Sequence, residues 1–349
     1  MTSRDLKVLL VGDYPPPYGG VSVQIAVLHR RLSSMPGVCC VVLDIGSSRR
    51  QKRSGCLPSR NLLEFCWNLG RYVARGYSVH VHTNGANLKS WMLAFVSGVA
   101  GVLTGRRIIV SLGSGSAPDY VARRTGLTRT LIRSALRLAA VIICRNDRTR
   151  LALLALRVPT GKLTVLAGFY GVDPDEIAAV PPVVEEFLEH RTPVIGAIAS
   201  VGPEYGIPLV AEVAAKLRAY YPDLGLVLVG SGAPDEPDQS MCVTGEVPRS
   251  TALGIIRKLD VFVRPTYFDG DASSVREALA LGVPVVASDT DFRPDGVIKF
   301  RRGDADDLAD KVIAALGTST RNRTVASSSG SLEQLLGIYQ AVTKERTQS

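Results

Sequence analysis

The chain has 349 residues, 46% of them hydrophobic, which is too long for one ordinary domain and suits two. Its six cysteines, at 39, 40, 56, 66, 144 and 242, form no CxxC pair, and its four histidines have no zinc spacing, so reduced thiols and no metal site are expected. The net charge of +9 is uneven: residues 1–175 hold 24 Lys+Arg against 8 Asp+Glu, and the remainder 17 against 24, so the first half is expected to meet something anionic; with aromatics at 6% and no nucleic-acid motif, a membrane surface suits it and nucleic acid does not.

Taken in chain order, strand and helix patterns alternate. Lys7–Val11 reads as a buried strand, too short for a signal peptide's apolar core, and it leads into a glycine-rich loop. Val21–Leu32 is helical, Val38–Leu43 a strand, and Arg49–Arg60 a basic exposed loop. Leu62–Ala74 is predicted helical, Val79–His82 a strand, Lys89–Leu103 a helix and Arg107–Leu112 a strand. The apolar run Trp91–Leu103, about 13 residues, is short of the roughly 20 that span a bilayer, and reads as a packed helix. Thr128–Leu138 follows as a helix with Arg129, Arg133 and Arg137 on one face, expected to attach the protein to an anionic leaflet. Val141–Cys144, Arg148–Leu156 and Leu163–Leu166 close a βα series that argues for a parallel sheet.

Residues 173–192, rich in proline and acid, read as a linker between residues 1–172 and a second βα series over 193–316. That series comprises strands at Val194–Ala199, Gly225–Val229, Asp260–Val263 and Val283–Ala287 and helices at Ile207–Leu217, Ser250–Ile256, Val275–Leu281 and Ala305–Ala315. A loop over 317–330 precedes a helix near 331–345 expected to pack back on the first domain. The fold class is therefore α/β, two facing Rossmann-like domains with a central ligand cleft beyond the strand ends.

Two stretches carry chemistry. In Gly12-Asp-Tyr-Pro-Pro-Pro-Tyr-Gly19-Gly20-Val21 a strand runs into a proline-stiffened loop, and the Gly-Gly pair opens a helix whose free N–H groups suit an anion. No GxGxxG is present and no acid is expected at dinucleotide spacing, which disfavours a nicotinamide cofactor. The second stretch runs from Arg264 to Asp289. A strand ends at Arg264, a Gly/Ser-rich loop follows, and a helix starts near Ser274, with Ser273 or Ser274 as its expected cap. Glu277 is placed in the first turn, where it can accept from a ribose diol, while Arg264 and Arg276 can neutralise a diphosphate. Asp269-Gly-Asp271 invites a metal reading, but its place before a helix disfavours one, and Asp289-Thr-Asp291 reads as a turn.

This second stretch resembles the C-terminal signature of family 4 retaining glycosyltransferases, of the GT-B fold: an acid, seven residues, Glu-Ala, then Gly-Val-Pro-Val-Val-Ala. Here the acid is Asp269 and the glutamate Glu277, and the form resembles a bacterial subgroup of surface-polysaccharide and cell-envelope assembly. His80-Val-His82, Gly171-Val-Asp173, Gly230-Ser-Gly232 and Gly245-Glu-Val-Pro248 extend the likeness along the chain. The resemblance implies a hexosyltransferase that retains anomeric configuration and needs no metal or cofactor, with a UDP- or GDP-sugar as substrate. Its acceptor would be lipid-linked or a glycan, and its place the inner, cytoplasmic membrane face, held peripherally. By the same resemblance Asp269 and Glu277 are catalytic. Gly19, Gly20, Arg264, Gly270, Ser273, Ser274 and Arg276 hold the donor, and Thr244, Glu246 and Val247 lie in the loop that reads its base. His82, Gly113 and Ser114 fall on the acceptor side.

The chain departs from the pattern at three charges. Ser200 and Tyr205 stand where the family has Arg and Lys, and Gly113 where it has His. One such donor is worth roughly 10²–10³ in rate. Arg264, Arg276 or Arg145 are the candidate replacements, and the alternative is a degenerate GT-B protein acting as partner to an active transferase. A nucleotide-sugar epimerase or phosphorylase shares the architecture but not this signature.

Overall fold

Runs that are apolar at every position, such as Val8–Val11, form strands covered on both faces, and they recur here between amphipathic helices. The computed structural model describes residues 6–47, 49–50, 53–232, 234, 237–290, 292–318 and 330–344. They divide into two units, one of residues up to Tyr170 with the helix from Gly330, the other from Gly171 onward.

The first unit contains β1 (Leu6–Gly12), α1 (Gly20–Ser33), β2 (Val38–Asp44), β3 (Cys56–Leu57), α2 (Leu62–Ala74), β4 (Ser78–Thr83) and α3 (Leu88–Leu103). It continues through β5 (Ile108–Leu112), α4 (Ala117–Arg123), α5 (Gly126–Leu138), β6 (Ala139–Cys144), α6 (Asp147–Leu154) and β7 (Leu163–Val165). The strands form one sheet in the order β3-β2-β1-β4-β5-β6-β7, with every strand pairing parallel. Side chains alternate across it. Leu9, Val11, Val79, Val81 and Val110 pack under α2, α3 and α5, while Val8, Leu10, Ile109 and Ile143 lie under α1 and the C-terminal helix.

The second unit contains α7 (Pro182–Glu189), β8 (Val194–Ile198), α8 (Ile207–Leu217), β9 (Gly225–Val229), β10 (Met241–Val243), α9 (Arg249–Lys258) and β11 (Val261–Arg264). Then come α10 (Ser273–Ala280), β12 (Val285–Ser288), β13 (Val297–Phe300) and α11 (Ala305–Thr318). Its sheet runs β10-β9-β8-β11-β12-β13, again parallel throughout. Helices α8 and α11 bury one face with Ile195, Ala197, Leu226, Leu228 and Val263. Helix α12 (Gly330–Lys344) returns to the first unit.

Several elements differ from expectation. The segment 173–192, expected as a linker, carries α7 and groups with the second unit. Pro182 sits at the first helical position, where a missing N–H costs nothing, so these prolines start a helix rather than prevent one. The basic loop Arg49–Arg60 contains β3, which pairs with Val42 and Leu43. Strands β10 and β13 and helix α4 were also not predicted. Residues 319–329 of the expected loop, and Glu345 of the expected C-terminal helix, lie outside the described residues. Trp91 lies on the buried face of α3 and donates its indole N–H to Gly85 O at 3.0 Å. Among the described residues no helix is long and apolar enough to cross a membrane.

The return of α12 is fixed by polar contacts inside the core. The Tyr339 hydroxyl and His80 Nδ1 are 2.7 Å apart, His80 Nε2 and Ser111 Oγ 2.7 Å, and Thr343 Oγ1 and Ser78 Oγ 3.2 Å. Tyr339 and His80 are fully buried. Replacing Tyr339 with Phe keeps the ring and strands one imidazole nitrogen, so Tyr339→Phe is expected to destabilise the first unit by about 1–3 kcal/mol, read by urea denaturation. An unchanged midpoint would show that the pair contributes nothing.

Candidate functional site

In the second sheet the chain runs outward one way from β8 to β9 and β10, then the other way from β11 to β12 and β13. The loops after β8 and β11 therefore diverge at the carboxyl edge, which is the crevice where open α/β sheets bind ligands. The two loops are tied together here. Tyr267 N donates to Glu204 O at 2.8 Å. Gly206 has φ 68°, and a Cβ there would lie 2.3 Å from Pro265 O, so only glycine allows this approach. On the other side Gly232 packs so tightly on Ser200 O that a Cβ would lie 2.3 Å from it.

Helix α10 opens into this crevice. Its cap is Ala272, which makes no side-chain capping bond, so the expected cap by Ser273 or Ser274 is corrected: these are its first two helical residues. Their N–H groups and that of Val275 belong to the first turn, where no intrahelical acceptor exists and the dipole is positive. The first turn holds no acid; Glu277 lies in the second turn, not the first. Glu277 is buried, and its Oε1 accepts from Arg249 Nε at 2.7 Å. Arg249 also donates to Glu176 Oε2 at 2.7 Å and to Gly171 O at 3.4 Å. One guanidinium thus links the start of the second unit, the start of α9 and α10. Arg249 was missed in the sequence although it directly follows the Gly245–Pro248 motif, and Glu176 had no sequence signal.

The loop before α10 is held by a second ion-pair network. Asp269 Oδ2 accepts from Arg293 at 2.6 Å and lies 3.5 Å from Arg264 Nε and 3.4 Å from Thr266 Oγ1. Its Oδ1 lies 3.3 Å from Asp271 N. Burial alone would raise its pKa, but Arg264 and Arg293 outweigh that and hold it below the usual 3.8. Arg293 is itself buried and also donates to Ser288 O, Ser288 Oγ and Thr266 Oγ1. Nothing in the pattern around Arg293 marked it. Arg276, expected to face a diphosphate, donates its Nε to Asp271 Oδ1 at 2.6 Å and lies 5.7 Å from the Phe292 ring centroid. Asp271 is held at φ 149°, a conformation that side chains rarely adopt and that surrounding contacts must impose. Arg264 ends β11 with its guanidinium 5.9 Å from the Tyr205 ring centroid. Tyr205 therefore lies against an arginine from the neighbouring strand.

The expected base-reading loop abuts the end of β9. Gly230 and Gly245 form an isolated bridge, Thr244 N donates to Leu228 O at 3.0 Å, and Thr244 Oγ1 donates to Gly245 O at 2.8 Å. Glu246 is exposed and Val247 half-buried. Gly270 lies in the buried loop between Asp269 and Asp271.

In the first unit Gly19 caps α1 and Gly20 begins it, both exposed, with no atom closer than 3.8 Å to where either Cβ would stand. Ser22 Oγ accepts from Gly19 N at 2.9 Å. The absence of an acid after the second strand is corrected: Asp44 ends β2, but its Oδ1 accepts from Tyr14 N and Gly46 N, which fastens the glycine-rich loop. His82 is buried against His80, ring centroids 3.9 Å apart, and burial beside Arg145 drives its pKa down to about 3, so the ring is neutral at any ordinary pH. Arg145 is buried and donates to Gln24 Oε1 at 2.8 Å and to Leu166 O at 3.3 Å. At Gly113 a Cβ would lie 2.6 Å from Val21 Cγ2, so any side chain there would require Val21 on α1 to shift. Ser114 Oγ and Ser116 Oγ are 2.8 Å apart. Among the described residues no three His, Cys, Asp or Glu side chains are grouped to hold a metal ion, and all six cysteines are free. Asp291 lies outside the described residues.

Residues 192–318 match the family model described as glycosyl transferases group 1. A GDP-mannose-dependent alpha-mannosyltransferase of Mycolicibacterium smegmatis is 28% identical over 201 residues, so the match spans about half of each chain (51% of this one and 52% of the relative). The crystal structure of Anabaena HepE with UDP and glucose superposes with a TM-score of 0.65 at 12% identity, covering 98% of both chains. A putative UDP-N-acetylglucosamine 2-epimerase from Listeria monocytogenes gives 0.62 at 15%, covering 97% of both. The chain has the GT-B fold of these structures.

Because Asp269 titrates below 3.8 in the folded chain, its ionised form stabilises the fold above that pH, and the contribution is lost as pH falls toward the folded value. Asp269→Asn is therefore expected to be less stable than wild type at pH 7, with the gap closing below about pH 4, read by denaturation across pH. A gap that is constant with pH would remove the charge network as its cause.

Proposed function

We propose that this chain is a retaining glycosyltransferase of the family 4 type that moves a hexose from a UDP- or GDP-linked donor to a lipid-linked or polysaccharide acceptor. The observation that carries the reading is the β11–α10 segment. There an uncapped helix N-terminus, Arg264 at the strand end and buried Glu277 meet at the switch point of the sheet, within the stretch matched by the transferase family model. The relative's GDP-mannose requirement and the UDP in the HepE structure are of the kind such a site would take.

In this reading the N–H groups of Ser273 and Ser274 and the α10 dipole face the donor diphosphate. Arg264, steadied by Tyr205, supplies the cation that the Ser200 and Tyr205 positions lack. Bond cleavage loads negative charge on the leaving nucleoside diphosphate while the sugar becomes oxocarbenium-like, so donors fixed before the reaction lower the barrier without reorganising. Glu277, with Arg249 holding one oxygen, accepts from the ribose diol. Asp269 is engaged by Arg293, so its part is to hold Arg264 and the loop rather than to meet sugar hydroxyls. No metal takes part. The strongly basic first half supports a peripheral position on the inner, cytoplasmic face of a membrane, and the reading assigns the enzyme to cell-envelope glycan assembly.

A second reading, a partner that binds donor without turning it over, is favoured by Gly113, which stands where the resembled family has a histidine and where a Cβ would crowd Val21.

Calorimetry with UDP and with GDP tests the donor site. One of them is expected to bind, in EDTA as in its absence, and Glu277→Gln to weaken that binding by about 1–3 kcal/mol. Equal affinity in the variant would remove Glu277 from the site, and binding abolished by EDTA would overturn the metal-free assignment. Release of nucleoside diphosphate from a panel of nucleotide sugars separates the two readings.

A further inference from the structure

Helix α2 is apolar on two opposite sides. Phe65, Leu69 and Val73 are buried in the core, yet on the outer side Leu63 and Trp67 face solvent, at 83% and 71% exposure, and Leu62 is exposed at the helix start. A helix covered on one side normally keeps its outer side polar. The neighbouring helices repeat the pattern at the same level. Leu88 and Met92 are exposed in the first two turns of α3, and Leu127, at 90%, is the second residue of α5.

These exposed groups share one end of the unit. The strands are parallel, so α2, α3 and α5, each running into the strand that follows it, all begin at the carboxyl edge of the sheet. α2 packs on α3 and α3 on α5, so their amino-terminal turns lie side by side. This is the edge that carries Gly19, Gly20, Gly113 and Ser114.

The charge around the apolar groups has one dominant sign. Lys89 and Arg129 stand in the first turns of α3 and α5, while Arg71 and Arg137 lie in last turns, away from this end; the carboxylates here are Glu64, engaged by Arg60 N at 2.7 Å, and Asp13, which interacts with Lys89. Arg60, Lys89, Arg123 and Arg124 are exposed, and three helix N-termini add positive potential. Exposed leucine and tryptophan beside an excess of exposed cations suit the boundary between acyl chains and anionic headgroups.

We infer that the amino-terminal ends of α2, α3 and α5 form a membrane-docking face, in which Leu63, Trp67, Met92 and Leu127 enter the surface of an anionic bilayer. This rests on the proposed membrane placement but not on the transferase chemistry. It moves the attachment from where the sequence put it. Arg129 and Arg133 are half-buried along α5, and Leu131 packs into the core, so the middle of that helix is not the contact. The face also lies at the edge where a lipid-linked acceptor would have to arrive.

The two tryptophans make the test direct, because Trp91 is fully buried and Trp67 is exposed. With vesicles of equal phosphatidylglycerol and phosphatidylcholine, tryptophan emission is expected to shift to the blue and to be quenched by bromine-labelled lipid. Trp67→Phe should still co-sediment with the vesicles but lose the shift. Leu63→Asp/Trp67→Asp, both surface positions, should keep the wild-type melting temperature and lose roughly tenfold or more of vesicle binding. Vesicle binding unchanged in the double variant, or Trp67 emission unmoved while the protein sediments, would overturn the inference. A blue shift on concentrating the protein without lipid would overturn it in favour of a second copy. Nucleotide affinity by calorimetry should be the same in the double variant. A wild type that binds vesicles but neither UDP nor GDP would sink the donor-site reading and leave this face standing.

Discussion

The structure depends on one constraint: every strand in both sheets runs parallel. A parallel strand must be followed by a crossover before the next, and each crossover helix then begins where a strand ends. The N-termini of the crossover helices, with their unpaired N–H groups and positive dipole ends, gather at the carboxyl edge of their sheet. The loop into α10, the glycine pair at α1 and the apolar ends of α2, α3 and α5 all lie on that edge. None of them needs a special fold, only a change in the residues at the start of a helix.

What the sequence made legible follows from how local each signal is. The strands β1, β4 and β9 and the helices α1, α2 and α3 announce themselves by period, because both faces of the sheets are covered and the helices are amphipathic. The elements not foreseen are short or ambiguous. β3 has two residues, β10 three, and α7 begins with prolines that read as a break. In the site, the β11–α10 signature was legible because its residues are contiguous. The partners of those residues were not. Arg249 is 28 positions from Glu277, and Arg293 is 24 from Asp269. Charge pairing between such positions is set by sheet topology rather than by spacing, and a residue assigned to substrate in the sequence, such as Arg276, proves to hold its own loop.

Three arginines gather on the two aspartates of this loop. Arg264 and Arg293 share Asp269, and Arg276 takes Asp271. Three cations against two anions leave an excess of one positive charge in a largely dry setting, where it acts more strongly than in water. The network also fixes the loop that feeds α10, since Asp271 keeps a backbone conformation that only such clamping sustains. Preorganisation and charge excess thus come from the same five side chains.

The return of the last helix has a consequence for synthesis on the ribosome. Residues to Tyr170 emerge first, but the face of their sheet bearing Val8, Leu10 and His80 is completed by Leu335 and Tyr339. Those arrive only after the whole second unit has been translated. At roughly 5–20 residues per second, the first unit waits on the order of ten seconds or more with an apolar surface open. The second unit, continuous in sequence, meets no such delay. The part of the chain made first is therefore the part finished last.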